Sequence, residues 1–396
     1  MAVAVVEQVR VYALSIPLRG KVEHALSVRG ASDSIVVAIE LQGGVIGYGE
    51  TLPRRYVTGE TVDSVLRDIE TLFVPMLLDF HADSFADALS FIDALAWHDP
   101  GGRRMPAARA AVELALLDAA CRAFDRGAED VVQWMGLPGM GEPGSVRHIR
   151  FSGVLASESL SATRRKLRLM YWGGLRHFKL KVGGAHDLEK LQLVCGFLGK
   201  KLASGRASLR ADANGAWTLD DADRWLRRFE AFPLAGVEQP LGPADNDRLP
   251  ALRRQYGLCL IHDESLVTLD DAKALISLGV ADVFNIRLSK CGGFMPALKL
   301  AALARREQVG IQLGCMVGET SILTAAAIRF LQVCPGVRWA EGGFGTFLLE
   351  TDVLRRSLRF GYGGRPPKLA SSGFGVDVDA DRVEHLCIGG PKTLRL

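Results

Sequence analysis

Charged residues close short apolar runs through the middle of this chain at intervals of about 25–31 residues, the length of one strand–loop–helix–loop unit of parallel β/α structure. The runs read HFKLKVGG, LRADANGAW, VEQP, IHDES and NIRLSKCGG. Their charges are Lys179 and Lys181, then Asp212, Glu238, Asp263 and Lys290. One polar group at the end of each successive strand is the layout of a (β/α)8-barrel active site, whose chemistry gathers at the C-terminal strand ends. The fold class is therefore α/β.

Eight apolar runs, near 147–154, 177–182, 208–213, 235–238, 258–262, 282–288, 310–314 and 337–341, alternate with helical patterns and supply the strands of such a barrel. GLPGMGEPG (136–144) separates them from what comes before. Residues 1–140 read as an α+β capping domain. Strands at 8–16, 34–41 and 43–50 come first. A helix capped by Thr61 follows, with Val62, Val65, Ile69, Leu72 and Phe73 on one face. A shorter helix over 84–95 precedes an Ala-rich one that starts at Pro106 and runs to about 126, with Arg109, Glu113, Arg122 and Asp125 on its wet face. Two long polar stretches, 16–34 and 51–61, read as loops, of a length that is usually functional or disordered. The barrel occupies 141–360, and the tail 361–396 is expected to return to the capping domain. The architecture is thus a modified TIM barrel whose N-terminal cap is completed by the C-terminal segment.

With 396 residues, 48% hydrophobic and 23% charged, the composition is globular, and a net charge of +3 from dispersed Lys and Arg points to neither nucleic acid nor an anionic membrane as partner. No run of about 18 apolar residues exists, and the apolar start lacks a basic leader. Seven scattered cysteines without CxxC spacing predict reduced thiols in a cytoplasmic protein.

Asp212, Glu238 and Asp263 end three successive strands, which converge in a barrel. Like charges at such spacing repel unless a cation joins them, and hard oxygen donors favour Mg²⁺, or Mn²⁺, over zinc. Lys181 stands one strand before these acids and Lys290 one strand after, so two ammonium groups are expected to face each other across the metal. A helix cap is the ordinary use of an acid such as Asp263; the ordered set of five, one strand apart, argues against five coincidences.

These residues resemble the enolase superfamily, specifically its muconate lactonizing enzyme (muconate cycloisomerase) subgroup. KLK at 179–181, RADANGAW, VEQP, HDES and LSKCGG are similar to its barrel segments. GYGE (47–50) and ARAAVELALLD (108–118) are similar to its capping domain. The resemblance implies Mg²⁺ held by Asp212, Glu238 and Asp263, with Lys181 and Lys290 as an opposed acid/base pair. A metal-stabilised enolate is the chemistry for which enolase-superfamily sites are themselves the stock example. Lys179 would support them, holding the substrate carboxylate and lowering the pKa of Lys181. Asn214 either steadies the metal shell or shapes its turn. Glu341 is the acid nearest the eighth strand end, where dipeptide epimerases carry a DxD that this chain lacks. It is a substrate contact or a loop acid. By the same resemblance the two long loops would form a specificity lid, in which Arg54, Arg55 and Tyr56 on one and His24 on the other are candidate substrate contacts, the arginines for a distal carboxylate.

The resemblance implies an isomerase acting on a small-molecule carboxylate, of the muconate cycloisomerase type. N-acylamino acid or dipeptide racemisation or epimerisation, o-succinylbenzoate synthase-like chemistry and acid dehydration are the alternatives on the same site. A non-catalytic binding protein on this fold would have no use for opposed lysines. Homo-oligomers are common among relatives.

Overall fold

The computed structural model describes residues 3–24, 27–146, 148–156, 159–184 and 186–396, with the backbone alone for residues 21–24 and 27–29. The cap is built on β1 (Ala4–Ala13), with β4 (Ile35–Leu41) and then β5 (Val45–Thr51) antiparallel on one side of it. The C-terminal strand β15 (Lys392–Arg395) pairs antiparallel with β1 on the other side. The short β6 (His81–Ala82) also pairs with β1.

The long helix Pro106–Ala123 lies against this sheet. Small side chains on both surfaces let them meet closely. A Cβ on Gly47 would stand 2.1 Å from the backbone nitrogen of Ala119, and one on Gly49 would stand 2.1 Å from the carbonyl oxygen of Ala111. The two glycines of GYGE and the alanines of the helix are thus one feature, a backbone-to-backbone approach that admits no side chain between.

The barrel strands are β7 (Gly153–Leu155), β8 (His177–Lys181), β9 (Ser208–Asp212), β10 (Gly236–Glu238), β11 (Leu260–His262), β12 (Val283–Ile286), β13 (Gly310–Leu313) and β14 (Val337–Ala340), each parallel to the next. The ring closes where Phe151 bridges Ala340 and Ser152 N–H donates to Ala340 O at 2.7 Å. Seven strands fall on the apolar runs. The first corrects the range 147–154, because Phe151 N–H goes to Gly364 O and leaves only Gly153–Leu155 to pair with β8. Outward side chains such as Phe178, Leu180, Leu209, Phe284 and Ile286 are buried under the helices. Inward, Ile261, Val283 and Trp339 form an apolar floor. Above it the inward positions are polar.

Buried carboxylates join cap to barrel. Glu113 accepts from Phe294 N–H at 2.9 Å and Met295 N–H at 2.8 Å, at the start of the helix Phe294–Arg306. Glu50 accepts from Thr320 N–H at 2.9 Å and Leu323 N–H at 3.1 Å, at the start of the helix Ser321–Val333. Helix N-termini offer unsatisfied N–H groups and a positive dipole end, so each carboxylate is placed where both favour it. Arg109 donates to Gly292 O at 2.6 Å and lies over the Trp97 ring. Arg109 and Glu113 are therefore buried in the interface, not on a wet face; the sequence pattern identifies polar residues but not that a second layer covers them. Arg122 is partly covered and Asp125 exposed.

The stretch 16–34 is a hairpin, not a loop. β2 (Ile16–His24) and β3 (Ser27–Ser32) pair antiparallel, with a register shift between Pro17 and Val22. That shift, with Pro17 and Gly20 inside the strand, breaks the two-residue alternation by which strands are recognised. The hairpin reaches the barrel's top: Ser32 Oγ donates to Gly318 O at 2.7 Å, and Leu18 bridges Leu349. Residues 52–60 form a loop with turns, and Thr61 closes a capping box with Ser64. The cysteines are free thiols, and no described helix is long and apolar enough to cross a membrane.

Gly49→Ala is expected to lose about 1–3 kcal/mol or more in urea denaturation, because neither backbone can move away cheaply. Gly196→Ala, on an exposed helix with nothing within 4 Å, should be neutral or stabilising by up to ~1 kcal/mol.

Candidate active site

Inward residues alternate along each strand, and the upper two layers carry almost all the charge. Asp212 ends β9 and Glu238 ends β10. Asp263 follows β11 by one residue. All three are fully buried. Lys179 Nζ lies 3.1 Å from Asp212, 3.1 Å from Glu238 and 2.6 Å from Glu341. Lys181 Nζ lies 2.6 Å from Asp212 and donates to Asn214 Oδ1 at 2.8 Å. Glu238 also accepts from Asn285 Nδ2 at 2.8 Å and Gln312 Nε2 at 3.0 Å. Arg210, stacked over Trp339, pairs with Glu341 at 2.9 Å and with Gln312.

Burial alone would raise the pKa of Asp212, but Lys181 and Lys179 override it and hold the carboxyl well below the usual range. Burial would lower Lys179, and Glu238, Glu341 and Asp212 push it well above its ordinary value instead. Glu264 goes the other way. Burial raises it, the charge of Asp212 adds to the rise, and its Oε2 is buried without a hydrogen-bond partner.

The two lysines expected to oppose each other are not equivalent. The side chain of Lys181 is 16% exposed, whereas that of Lys290 is 0% exposed. Lys290 Nζ donates to Asp263 O at 2.6 Å, Asp263 Oδ1 at 2.9 Å and Asn285 O at 2.9 Å. Three acceptors use all three N–H bonds of an ammonium. Burial, with Arg287 adding to it, pulls the pKa of Lys290 down to about 8, yet the group is enclosed behind Asp263 and faces no open space. The reading of Lys290 as the partner of Lys181 is therefore corrected. The position across the site belongs to Arg287, two residues beyond inward-facing Asn285 and ion-paired with Asp263. Counting alternate residues along NIRLSK would have found it; matching lysine to lysine did not.

Glu341 is likewise corrected as a substrate contact, since it is 2% exposed and both its oxygens are engaged, by Lys179 and Arg210. Lys179, held by three carboxylates at 2% side-chain exposure, braces the acids from below. Asn214 shapes the turn after β9. Its backbone takes the left-handed conformation at φ 50, while its side chain receives Lys181 and donates to Glu264 at 3.3 Å. Arg54 is buried, donating to Asp33 at 2.7 Å, Pro53 O at 2.8 Å and Val317 O at 3.1 Å, so its contacts pin the lid loop to the turn after β13. Arg55 is exposed and Tyr56 half-buried. His24 ends β2, and its side chain lies outside the described residues.

Among the described residues no three His, Cys, Asp or Glu side chains stand as a ready metal cluster, because ammonium and guanidinium groups lie between the carboxylates. The donors themselves fit a hard divalent cation. Three buried carboxylates lie on adjoining strands, a fourth has an unpartnered oxygen, and no thiolate or imidazole is among them.

A (β/α)8 barrel under an α+β cap, with acids and lysines at successive strand ends, defines an isomerase of the enolase superfamily. The chain belongs to the mandelate racemase / muconate lactonizing enzyme family: that family's N-terminal domain matches residues 7–146, and the enolase C-terminal domain-like description matches residues 162–382. It is 30% identical over 358 residues to the hydrophobic dipeptide epimerase of Enterococcus faecalis, covering 87% of this chain and 92% of that one. It is 26% identical over 388 residues to the chloromuconate cycloisomerase of Cupriavidus necator, covering 96% and 98%. Its fold is similar to the N-succinyl Arg/Lys racemase of Bacillus cereus, with a TM-score of 0.84 at 23% identity over 98% of this chain and 100% of that one. It is also similar to the muconate lactonizing enzyme of Pseudomonas fluorescens complexed with muconolactone, with a TM-score of 0.84 at 22% identity and the same coverage.

Lys179→Met should destabilise the protein by about 3–5 kcal/mol in metal-free buffer, by leaving buried carboxylates uncompensated. Adding Glu341→Gln should recover part of that loss in a double-mutant cycle.

Burial pushes Glu319, in the turn after β13, up to about 8. A raised carboxyl keeps its proton in the folded state after the unfolded chain has lost its own. Its contribution therefore falls as pH rises from the ordinary carboxylate range to about 8 and is constant beyond. Urea denaturation of Glu319→Gln should gain on the parent protein across that window and run parallel to it above.

Proposed function

We propose that this protein is a Mg²⁺-dependent isomerase of the muconate cycloisomerase type that moves the substrate's proton on one face only, with Lys181 as the acid/base group. The observation that carries this reading is the inequality of the lysines. Lys181 reaches the open side of the site, and Lys290 is closed in with all its donors used. Inverting a carbon centre by deprotonation and reprotonation needs a proton-transfer group on each face. Opposite Lys181 the chain has Arg287, and a guanidinium stays protonated. Cycloisomerisation needs the proton delivered or removed on one face alone.

A divalent cation held by Asp212, Glu238 and Asp263 would draw charge from a substrate carboxylate and acidify the neighbouring C–H bond. Lys181 is aligned by Asp212 and Asn214, so its ammonium points in a fixed direction. Lys290 holds Asp263 through both its carboxylate and its carbonyl, and Asn285 and Gln312 orient Glu238. The hairpin β2–β3 and the loop 52–60 reach over the turns after β13 and β14, where they can exclude water.

Epimerisation is the second reading, supported by the 30% identity to a dipeptide epimerase. Against it for dipeptides stands Glu341, whose oxygens both serve Lys179 and Arg210 and leave no acid at the eighth strand end for a substrate ammonium.

The test is turnover in D₂O with Mg²⁺, offering muconate, muconolactone, N-acylamino acids and dipeptides. The expected result is muconate–muconolactone interconversion with one deuterium incorporated on one face, and no inversion in the other pools. Lys181→Gln should lower kcat by about 10²–10⁴-fold. Racemisation or epimerisation of any amino-acid derivative would overturn the one-face reading.

A further inference from the structure

Five buried or nearly buried carboxylates, Asp212, Glu238, Asp263, Glu264 and Glu341, share the barrel mouth with five cations, Lys179, Lys181, Arg210, Arg287 and Lys290. When all are ionised the formal charges cancel. A divalent cation entering among them adds two positive charges to a region from which water is largely excluded, and among the described residues the neighbouring acids offer little to balance it. Asp33 pairs with Arg54, and burial pushes Glu319 up to about 8. Beyond what Lys181 can offset by giving up a proton, the compensating charge is expected to come with the substrate.

Two of these cations are guanidiniums with unpartnered donors, Arg210 and Arg287; Arg210 is fully buried over Trp339 and paired with Glu341, whereas Arg287 lies at the barrel mouth. Arg287 is 7% exposed and ion-paired with Asp263. Its Nη1 donates only to the thioether of Met316 at 3.2 Å, a weak acceptor, and its Nε is buried without a hydrogen-bond partner among the described residues. The other buried arginines of the cap and its seams are better satisfied. Arg109 donates to four backbone carbonyls, and Arg54 to an aspartate and two carbonyls. A buried guanidinium left this open is unfavourable unless an acceptor from outside completes it. Its one strong partner, Asp263, is also the residue that a bound cation would draw upon.

We propose that Arg287 is a substrate-anchoring residue that receives a carboxylate on the face opposite Lys181, so that the site selects dianionic over monoanionic substrates. This rests on the reading of Asp212, Glu238 and Asp263 as a metal site. A planar fork of N–H donors suits a carboxylate better than an ammonium does, which makes arginine here a group for binding, where a lysine could also exchange protons. The Gly314–Glu319 turn lies between Arg287 and the lid residue Arg54, through Met316 and Val317 respectively, so the anchoring position sits directly under the lid.

The test is calorimetric binding of adipate and of hexanoate, a dicarboxylate and a monocarboxylate of equal length, to the Mg²⁺-loaded protein, with no turnover involved. Adipate should bind at least about 10-fold more tightly than hexanoate. Arg287→Gln should weaken adipate by about 10–100-fold, the range for a lost charge-assisted hydrogen bond, and leave hexanoate within about 3-fold. Arg287→Lys should recover part of the loss while keeping the charge that Asp263 faces. Equal affinities for the two ligands in the parent protein, or an equal effect of Arg287→Gln on both, would overturn the proposal. Mg²⁺-dependent thermal stabilisation of the same samples separates this from failure of the metal reading. If stabilisation persists while adipate selectivity is absent, the anchor alone is wrong; if Asp212→Asn leaves the stabilisation unchanged, the metal site itself is misplaced.

Discussion

The structure depends on the neutralisation of charge inside a barrel. Isolated carboxylates cannot remain ionised out of water, and Asp212, Glu238, Asp263 and Glu341 at the top of this barrel each have a cation against them. Lys179 is the hub, touching Asp212, Glu238 and Glu341 at once. Lys290 and Arg287 do for Asp263 what Lys179 does for the other acids. Such a lattice is a costly way to fill a barrel, and apolar side chains, as in the floor formed by Ile261, Val283 and Trp339, would do it more cheaply. Its retention at the strand ends, where barrel chemistry gathers, is the mark of a site whose charges serve a reaction.

The cap is held to this barrel by the same physics. Glu50 and Glu113 reach out of the cap to N–H groups at the starts of two barrel helices, and Glu60 does this within the cap, at Ala107 and Ala108. One of these joints lies beside the active-site turns. Arg109 and Glu113 hold Gly292 and the start of the helix Phe294–Arg306, immediately after Lys290. The placement of Asp263 therefore depends, through Lys290, on a helix of the other domain.

The barrel was legible because its signal is periodic. Seven of eight strands follow from the spacing of apolar runs, and the acids at the ends of three of them from the charge that closes each run. What stayed hidden has specific causes. The hairpin β2–β3 carries a register shift that erases alternation. The burial of Arg109 and Glu113 depends on a second domain that no local pattern reports. Lys290 and Arg287 both close the same strand, and only the alternation from Asn285 tells which one points inward. Glu264, and Arg210, Asn285 and Gln312, which orient the acids, lie inside runs that look merely apolar or merely polar in sequence. The spacing of strand ends points to the acids and the family resemblance to their chemistry; side-chain direction comes from the structure.

The buried lysines and Arg287 stand among acids proposed to take up a divalent cation together, and that uptake is open to direct observation. It is tested most directly by crystals soaked in Mn²⁺, whose anomalous scattering locates the ion without reference to activity. One strong peak is expected, bounded by Asp212, Glu238 and Asp263, with Lys181 displaced from Asp212 and Lys290 still enclosed behind Asp263. No peak there at saturating Mn²⁺, with all three acids still paired to Lys179, Lys181, Arg287 and Lys290, would contradict it.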